Sequence, residues 1–211
     1  NYYSKYNVSM SIVNYHLYRD YLLDKPHLAF NSNYYGFEPK DEKLDSVDTK
    51  ILVELSKNCR QSNHEIGQKV GVSYHTIKDR IKKLEEKKII SSHRIKIDLE
   101  KINRLHYKAL LFLNNATKKD EKEVYAFCSQ YNFVTYLVEV LGDWQLEVET
   151  EVASEKEFLD FVKDLRNKFP DLISDYHILQ VAKEHQLNYF PPDVAKSKIL
   201  ADAPNGIDVL G

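Results

Sequence analysis

Apolar residues return every three or four positions after the charged stretch Lys40-Asp-Glu-Lys-Leu-Asp45, and this spacing predicts three short helices in succession. In the first, Val47, Ile51, Leu52 and Leu55 share one face, while Asp45 and Asp48 put acids at the N-terminal end, where unpaired amides and the helix dipole favour them. The second opens on Ser62-Asn-His-Glu65, the spacing at which Ser and Glu cap each other's backbone, and buries Ile66 and Val70. Gly71 lets the chain reverse, Ser73 caps the third helix, and Ile77, Ile81 and Leu84 form the inner face of a segment running from Tyr74 to Lys87. The outer face of that helix reads Tyr74, His75, Lys78, Asp79, Lys82 and Lys83. Ile89 to Leu99 then alternates apolar and polar, which predicts a short strand or wing bearing His93, Arg94 and Lys96.

From Arg104 the period changes. Leu105 to Leu113 reads as a strand, Lys119 to Tyr131 as a helix, Val134 to Leu141 as a second strand, Gly142-Asp-Trp as a turn and Gln145 to Val152 as a third strand. Ser154-Glu-Lys-Glu157 opens another helix, lined by Phe158, Phe161, Val162, Leu165 and Phe169 and stopped at Pro170, and residues 175 to 184 form a fourth strand. The order βαββαβ is ferredoxin-like, with both helices on one face of an antiparallel sheet. Glu147, Glu149 and Glu151 alternate with Leu146, Val148, Thr150 and Val152, so the carboxylates belong to the open face, read as a solvated or interface surface rather than a metal site because no histidine shares the series.

Three helices with a Gly turn before the third fit a DNA-reading helix-turn-helix, or an ordinary three-helix packing unit whose outer face is solvated. The adjoining basic segment favours the first. The net charge of −2 argues weakly against nucleic acid until it is divided along the chain. Residues 41–104 hold 15 Lys and Arg against 11 Asp and Glu, whereas residues 105–193 hold 9 against 16. A basic module is therefore joined to an acidic one. The two cysteines, Cys59 and Cys128, stand alone, which argues against a disulfide framework or zinc ribbon and makes the reducing cytoplasm the default location. No apolar run is long enough to span a bilayer.

The stretches Leu44-Asp-Ser-Val-Asp-Thr-Lys-Ile-Leu-Val-Glu-Leu-Ser-Lys-Asn-Cys-Arg60, Ser62-Asn-His-Glu-Ile66, Val70-Gly-Val-Ser73 and Arg80-Ile-Lys-Lys-Leu-Glu-Glu-Lys-Lys-Ile-Ile90 resemble the leucine-responsive regulator (Lrp/AsnC) family. The resemblance covers about residues 43–190. It implies an α+β protein: an N-terminal winged helix-turn-helix over 41–103, then a ferredoxin-like βαββαβ domain over 104–190 that dimerises and senses small molecules, mainly amino acids, with a tail over 191–211. The expected partners are double-stranded DNA, a second copy of the chain and a small-molecule effector such as an amino acid, with no cofactor, metal or membrane. On that reading Ser73, Tyr74, His75, Thr76, Lys78 and Asp79 lie nearest the bases, Arg80, Lys82 and Lys83 neutralise phosphates, and His93, Arg94 and Lys96 reach the flanking backbone.

Gly142, Asp143, Trp144 and Gln145 are the effector-binding candidates, and here the sequence departs from the family: Gln145 stands at the usual acidic position, with the acid moved to Asp143. Lys88 likewise stands where the family usually has Gly after the third helix. Two other readings stay open. Relatives on the same scaffold act as sirohaem decarboxylases, although the histidines here are scattered; and a sensor or scaffold without DNA binding would suit the acidic module. Residues 1–40 precede the resemblance. Ile12-Val-Asn-Tyr-His-Leu17 repeats Ile173-Ser-Asp-Tyr-His-Ile178, and His27-Leu-Ala-Phe loosely echoes Gln186-Leu-Asn-Tyr-Phe, so residues 8–30 read as the last strand and tail of a preceding sensor domain, or as a chance similarity.

Overall fold

The computed structural model describes residues 8–23, 33–35, 42–183 and 190. The echo at His27 and Gln186, and the tail over 191–211, lie outside the described residues. The chain forms two compact units that divide at Lys96/Ile97. That is ahead of the 103/104 boundary expected from the change of period, because Glu100–Ile102 make a single 3-10 turn, closed by a hydrogen bond from Arg104 N–H to Leu99 C=O, that leads straight into the sheet.

The first unit holds α1 (Ser46–Lys57), α2 (Asn63–Val70) and α3 (Tyr74–Glu86). Asp45 and Asp48 cap each other's backbone at α1, as Ser62 and Glu65 do at α2, and Ser73 Oγ accepts from Thr76 N–H at α3. Each such cap is worth about 1 kcal/mol. Ile51, Leu52, Ile66, Ile77 and Leu84 make the buried core, with Val47, Leu55, Val70 and Ile81 packed against it. Gly71 ends α2 in the left-handed region at φ 82°, which a residue with a Cβ resists.

The strand expected over Ile89 to Leu99 does not form. Instead the chain folds back on α3: Lys88 N–H bonds to Glu85 C=O and Ile89 N–H to Leu84 C=O, both at 2.9 Å, and Ile89 packs on the core. This is a Schellman closure, and its apolar contact draws Ile89 and Ile90 inward, so the alternation reflects one anchored end rather than a ladder. The closure needs a left-handed residue at its turn, and Lys88 supplies it at φ 57°. That is why glycine suits this position, and why the helix ends on schedule without it.

The second unit is built on β3 (Leu105–Leu113), α4 (Lys118–Cys128), β4 (Val134–Leu141), β5 (Leu146–Val152), α5 (Glu155–Lys168) and β6 (Ile173–Val181), the βαββαβ order read from the sequence. α4 ends at Cys128, short of Tyr131, because residues 129–131 turn back through hydrogen bonds to Tyr125, Phe127 and Cys128. Every ladder is antiparallel. Val124, Cys128, Phe158, Phe161, Val162 and Leu165 pack from the two helices onto Ala109, Leu111, Leu137, Leu146, Val148 and Val152, with Phe158 stacked on Tyr107 at 4.5 Å. Two further strands extend the sheet: β1 (Met10–His16) pairs antiparallel with β4, and β2 (Asn33–Tyr35) with β1. The six-stranded order is β2-β1-β4-β5-β3-β6.

Because Lys88 carries a side chain in a conformation that costs L residues about 1 kcal/mol or more, Lys88→Gly should stabilise the helical unit by about 0.5–1 kcal/mol. A urea titration followed by circular dichroism checks this; an unchanged or lowered midpoint contradicts the cap assignment.

Candidate nucleic-acid interface and effector turn

Burial of Ile77 and Leu84 fixes the rotation of α3 and turns its other face to solvent. Tyr74, His75, Lys78, Asp79, Lys82 and Lys83 are exposed, with the Tyr74 ring edge-on to His75 at 5.4 Å. Ser73 and Thr76 bond to each other at the helix start, so both hydroxyls are tied to the cap. Lys82 makes a long surface pair with Glu86 at 3.8 Å, and neither Lys78 nor Lys83 has an ion-pair partner among the described residues. Exposed pairs of this kind contribute little.

Arg80 stands apart. Its guanidinium reaches back to α1, donating to Asp45 and, at 2.9 Å, to Asp48. Burial pushes the Asp45 carboxyl up, but the amide of Asp48 and the Arg80 guanidinium outweigh it and hold the carboxyl below its ordinary range. Arg80 thus ties α3 to the cap of α1. In the segment after α3, His93 contacts Glu85 at 3.4 Å, Arg94 donates to Ser92 at 3.3 Å and Lys96 is exposed. They stand on chain without regular secondary structure rather than on a wing strand.

One determinant escaped the sequence reading. Gly67 lies buried inside α2, and a Cβ there would sit 2.7 Å from the carbonyl oxygen of Val72. The same carbonyl-rich corner takes hydrogen bonds from Gly71 and Val72 to Gly67 C=O at 2.9 and 3.0 Å. The α2–α3 turn therefore closes directly over Gly67. A glycine inside a helix four residues before a helix-ending glycine was the available signal.

In the second unit, the residues of the 142–145 turn face different ways. Gln145 is drawn inward, its Oε1 accepting from Leu113 N–H at 2.9 Å. The Trp144 indole donates to Glu147 at 2.8 Å. A Cβ on Gly142 would meet Ser9 and the Val8 carbonyl at 3.0 Å, so the N-terminal segment lies against this turn. Asp143 is exposed and offers the free carboxylate. A groove of about 480 Å³ lies elsewhere in the unit, lined by α5 and the start of β6, including Lys163, Arg166 and Tyr176.

Of the two readings of the open-face carboxylates, solvated or interface, the first does not hold within a single chain. Glu147 and Glu149 are only 15% and 14% exposed and Glu151 only 5%. Lys108 binds Glu149 at 2.6 Å and approaches Glu147 at 3.9 Å, and His106 contacts Glu149 at 3.0 Å. Burial raises the Glu149 carboxyl, but His106 and Lys108 together overcome it and leave it below its usual range. Arg19 grips Glu151 with two hydrogen bonds at 2.7 Å, and Tyr21 donates to the same carboxylate. Among the described residues no group of three or more His, Cys, Asp and Glu is placed to hold a metal ion, and no helix is long and apolar enough to cross a membrane.

A helix-turn-helix unit followed by a βαββαβ unit is the build of a class of two-module transcription regulators. Residues 44–85 match the AsnC-type helix-turn-helix domain. The chain is 30% identical over 135 residues to the DNA-binding transcriptional activator DecR of Escherichia coli, covering 61% of this chain and 86% of DecR. It is 30% identical over 105 residues to the uncharacterized HTH-type transcriptional regulator YezC of Bacillus subtilis, covering 45% and 75%. In fold it is similar to a transcriptional regulator of Neisseria meningitidis solved as an L-Met complex (TM-score 0.62, 23% identity, 71% of this chain and 97% of that one) and to E. coli AsnC (TM-score 0.57, 20%, 70% and 97%). The chain belongs to the Lrp/AsnC family.

Gly67→Ala should destabilise the helical unit by about 1–3 kcal/mol, since the added methyl meets backbone that cannot yield without opening the turn. Thermal unfolding by circular dichroism tests it; a variant as stable as the parent would show that the turn does not close over this residue.

Proposed function

We propose that this chain is a sequence-specific DNA-binding transcription regulator in which α3 enters the major groove. The observation that carries the reading is the exposed face of α3, Tyr74, His75, Lys78, Asp79, Lys82 and Lys83, held outward by buried Ile77 and Leu84 in a unit that matches the AsnC-type domain. A helix of this size fits the major groove, its first turn nearest the base edges. Tyr74, His75 and Asp79 are the specificity residues, with Ser73 and Thr76 shaping the helix start, and Lys78, Lys82 and Lys83 neutralise phosphates. Arg80 is a strut to α1 rather than a phosphate ligand. Arg94 and Lys96 extend the contact along the flanking backbone. Pairing of two copies through their ferredoxin-like units presents two such helices to a site of two-fold symmetry.

The ferredoxin-like unit senses a small molecule at the 142–145 turn, where Asp143 is the acceptor available to an ammonium group. The L-Met complex of the Neisseria regulator supports this choice of ligand class.

Selection of binding sites from random duplexes should enrich a pseudo-palindrome. Lys78→Ala, Lys82→Ala and Lys83→Ala together should lower the slope of log affinity against log salt by about 5.4 for the pair of copies on one site, at about 0.9 for each of about six phosphates no longer neutralised. Tyr74→Ala should instead relax sequence choice with little change in slope. An unchanged slope in the triple variant excludes α3 as the DNA-facing helix. Calorimetry across the amino acids should find at least one ligand whose binding Asp143→Asn abolishes; silence for all of them, or indifference to the substitution, overturns the effector assignment.

A further inference from the structure

The two outermost long strands of the sheet share a short motif. Ile12-Val-Asn-Tyr-His-Leu17, which runs along β1 and one residue beyond it, and Ile173-Ser-Asp-Tyr-His-Ile178 in β6 are identical at three of six positions, and the fold uses their shared Tyr-His pair alike, although Ile12 is exposed where Ile173 is buried. Tyr15 lies opposite Leu137 and turns to the helix layer, its ring 4.9 Å from Tyr125 and its hydroxyl donating to Glu139 at 3.0 Å. Tyr176 lies opposite Leu111 and turns to the same layer, under the Arg166 guanidinium at 5.1 Å. His16 and His177 both face the other side, each edge-on to an aromatic ring of the neighbouring strand: Tyr136 at 4.3 Å and Phe112 at 4.9 Å. The two Tyr-His pairs thus share orientation and sheet face.

The ladders give the two strands the same direction. β1 is antiparallel to β4, and β6 to β3, with β4, β5 and β3 alternating between them. A second copy laid edge to edge would therefore bring its β6 to β4 in the sense β1 already occupies, with its helices on the same side. β6 has an edge to offer: it ends the sheet order among the described residues, and Ile178 and Leu179 on it are 38% and 47% exposed.

We propose that the outer edge of β4 is a docking edge for a β6-type strand, that β1 fills it within the chain, and that its alternative occupant is β6 of a second copy. Strand addition of this kind is head-to-tail, so an uncapped edge propagates into open chains of subunits. β1 is the cap that prevents it. It is secured at both ends, by Ser9 packed against Gly142 and by Arg19 and Tyr21 on Glu151, with Arg104 lying 4.3 Å over the Tyr21 ring. This inference is independent of the DNA and effector assignments.

The test opens the edge in the whole chain. Asn14→Pro with Tyr15→Pro removes two successive N–H donors, which point to opposite edges of the strand, so one of them breaks the ladder to β4. The variant should sediment as larger species that grow with concentration, and adding Leu179→Lys to it should restore the parent's behaviour. It should also bind a fluorescent peptide of residues 173–181 at least about tenfold more tightly than the parent, that is by about 1.4 kcal/mol. Sedimentation identical to the parent, or association that survives Leu179→Lys, overturns the proposal. Where circular dichroism shows the double-proline chain unfolded, Ser11→Cys with Val140→Cys decides, since these positions face each other in the ladder. Peptide uptake must then be lost on oxidation and regained on reduction, and equal uptake in both forms, or none in either, overturns it.

Discussion

The ferredoxin-like unit depends on neutralising three carboxylates on its central strand, Glu151 buried and Glu147 and Glu149 largely withdrawn from solvent. β5 gives Leu146, Val148 and Val152 to the helix-side core, and pleating then forces Glu147, Glu149 and Glu151 onto the opposite face of the same strand. A buried charge without a partner costs several kcal/mol, so the strand is tolerable only where cations surround it. β3, its hydrogen-bonded neighbour, brings Lys108 and His106, and the segment after β1 brings Arg19 with Tyr21. Burial pulls the Arg19 guanidinium down in basicity, but its bond to Glu151 outweighs this and keeps it above its ordinary range. Part of the acidity of this stretch is thus an internal ion-pair network, and the N-terminal segment is one of its components.

The helical unit is governed by close approach instead of charge. Val72 crosses over Gly67 with no room for a methyl group, Gly71 turns in the left-handed region, and α3 leaves along a direction set by those contacts. Arg80 then braces the helix against the acids that cap α1. One guanidinium thus meets both acids of the α1 capping box.

Local pattern made much of this legible. The three helices, their caps, the Gly71 turn and the βαββαβ order follow from periodicities of 3.6 and 2 and from short-range hydrogen bonding, which act within a few residues. Long-range partners left no such trace. Nothing near Glu151 indicates Arg19, 132 residues away, and nothing near Arg80 indicates Asp45. The misread segment over Ile89 to Leu99 shows the same limit: its alternation suits a strand, but a strand needs a partner, and the Schellman closure claimed Ile89 first. Lys88 was legible as a departure, and its left-handed backbone gives the reason. At the site, the exposed face of α3 was readable because burial of Ile77 and Leu84 fixes it, whereas the inward turn of Gln145 toward Leu113 was not, since a side-chain amide bonding a distant backbone has no period.

With Arg80 engaged on α1, the charge that α3 can bring to a phosphate backbone falls to its lysines, and one of these, Lys82, already faces Glu86. Each phosphate neutralised contributes a counterion-release slope of about 0.9, so a single helix of this composition holds duplex DNA weakly at physiological salt. Specific regulation on the proposed reading therefore requires two helices to act on one site, and the requirement falls on the unit that contains no DNA-facing residue. Pairing through that unit has to use a surface that closes after one partner, because an edge that adds copies indefinitely would give arrays rather than dimers. A sheet whose β4 edge is filled from within its own chain meets that condition, leaving association to the remaining surfaces of the unit.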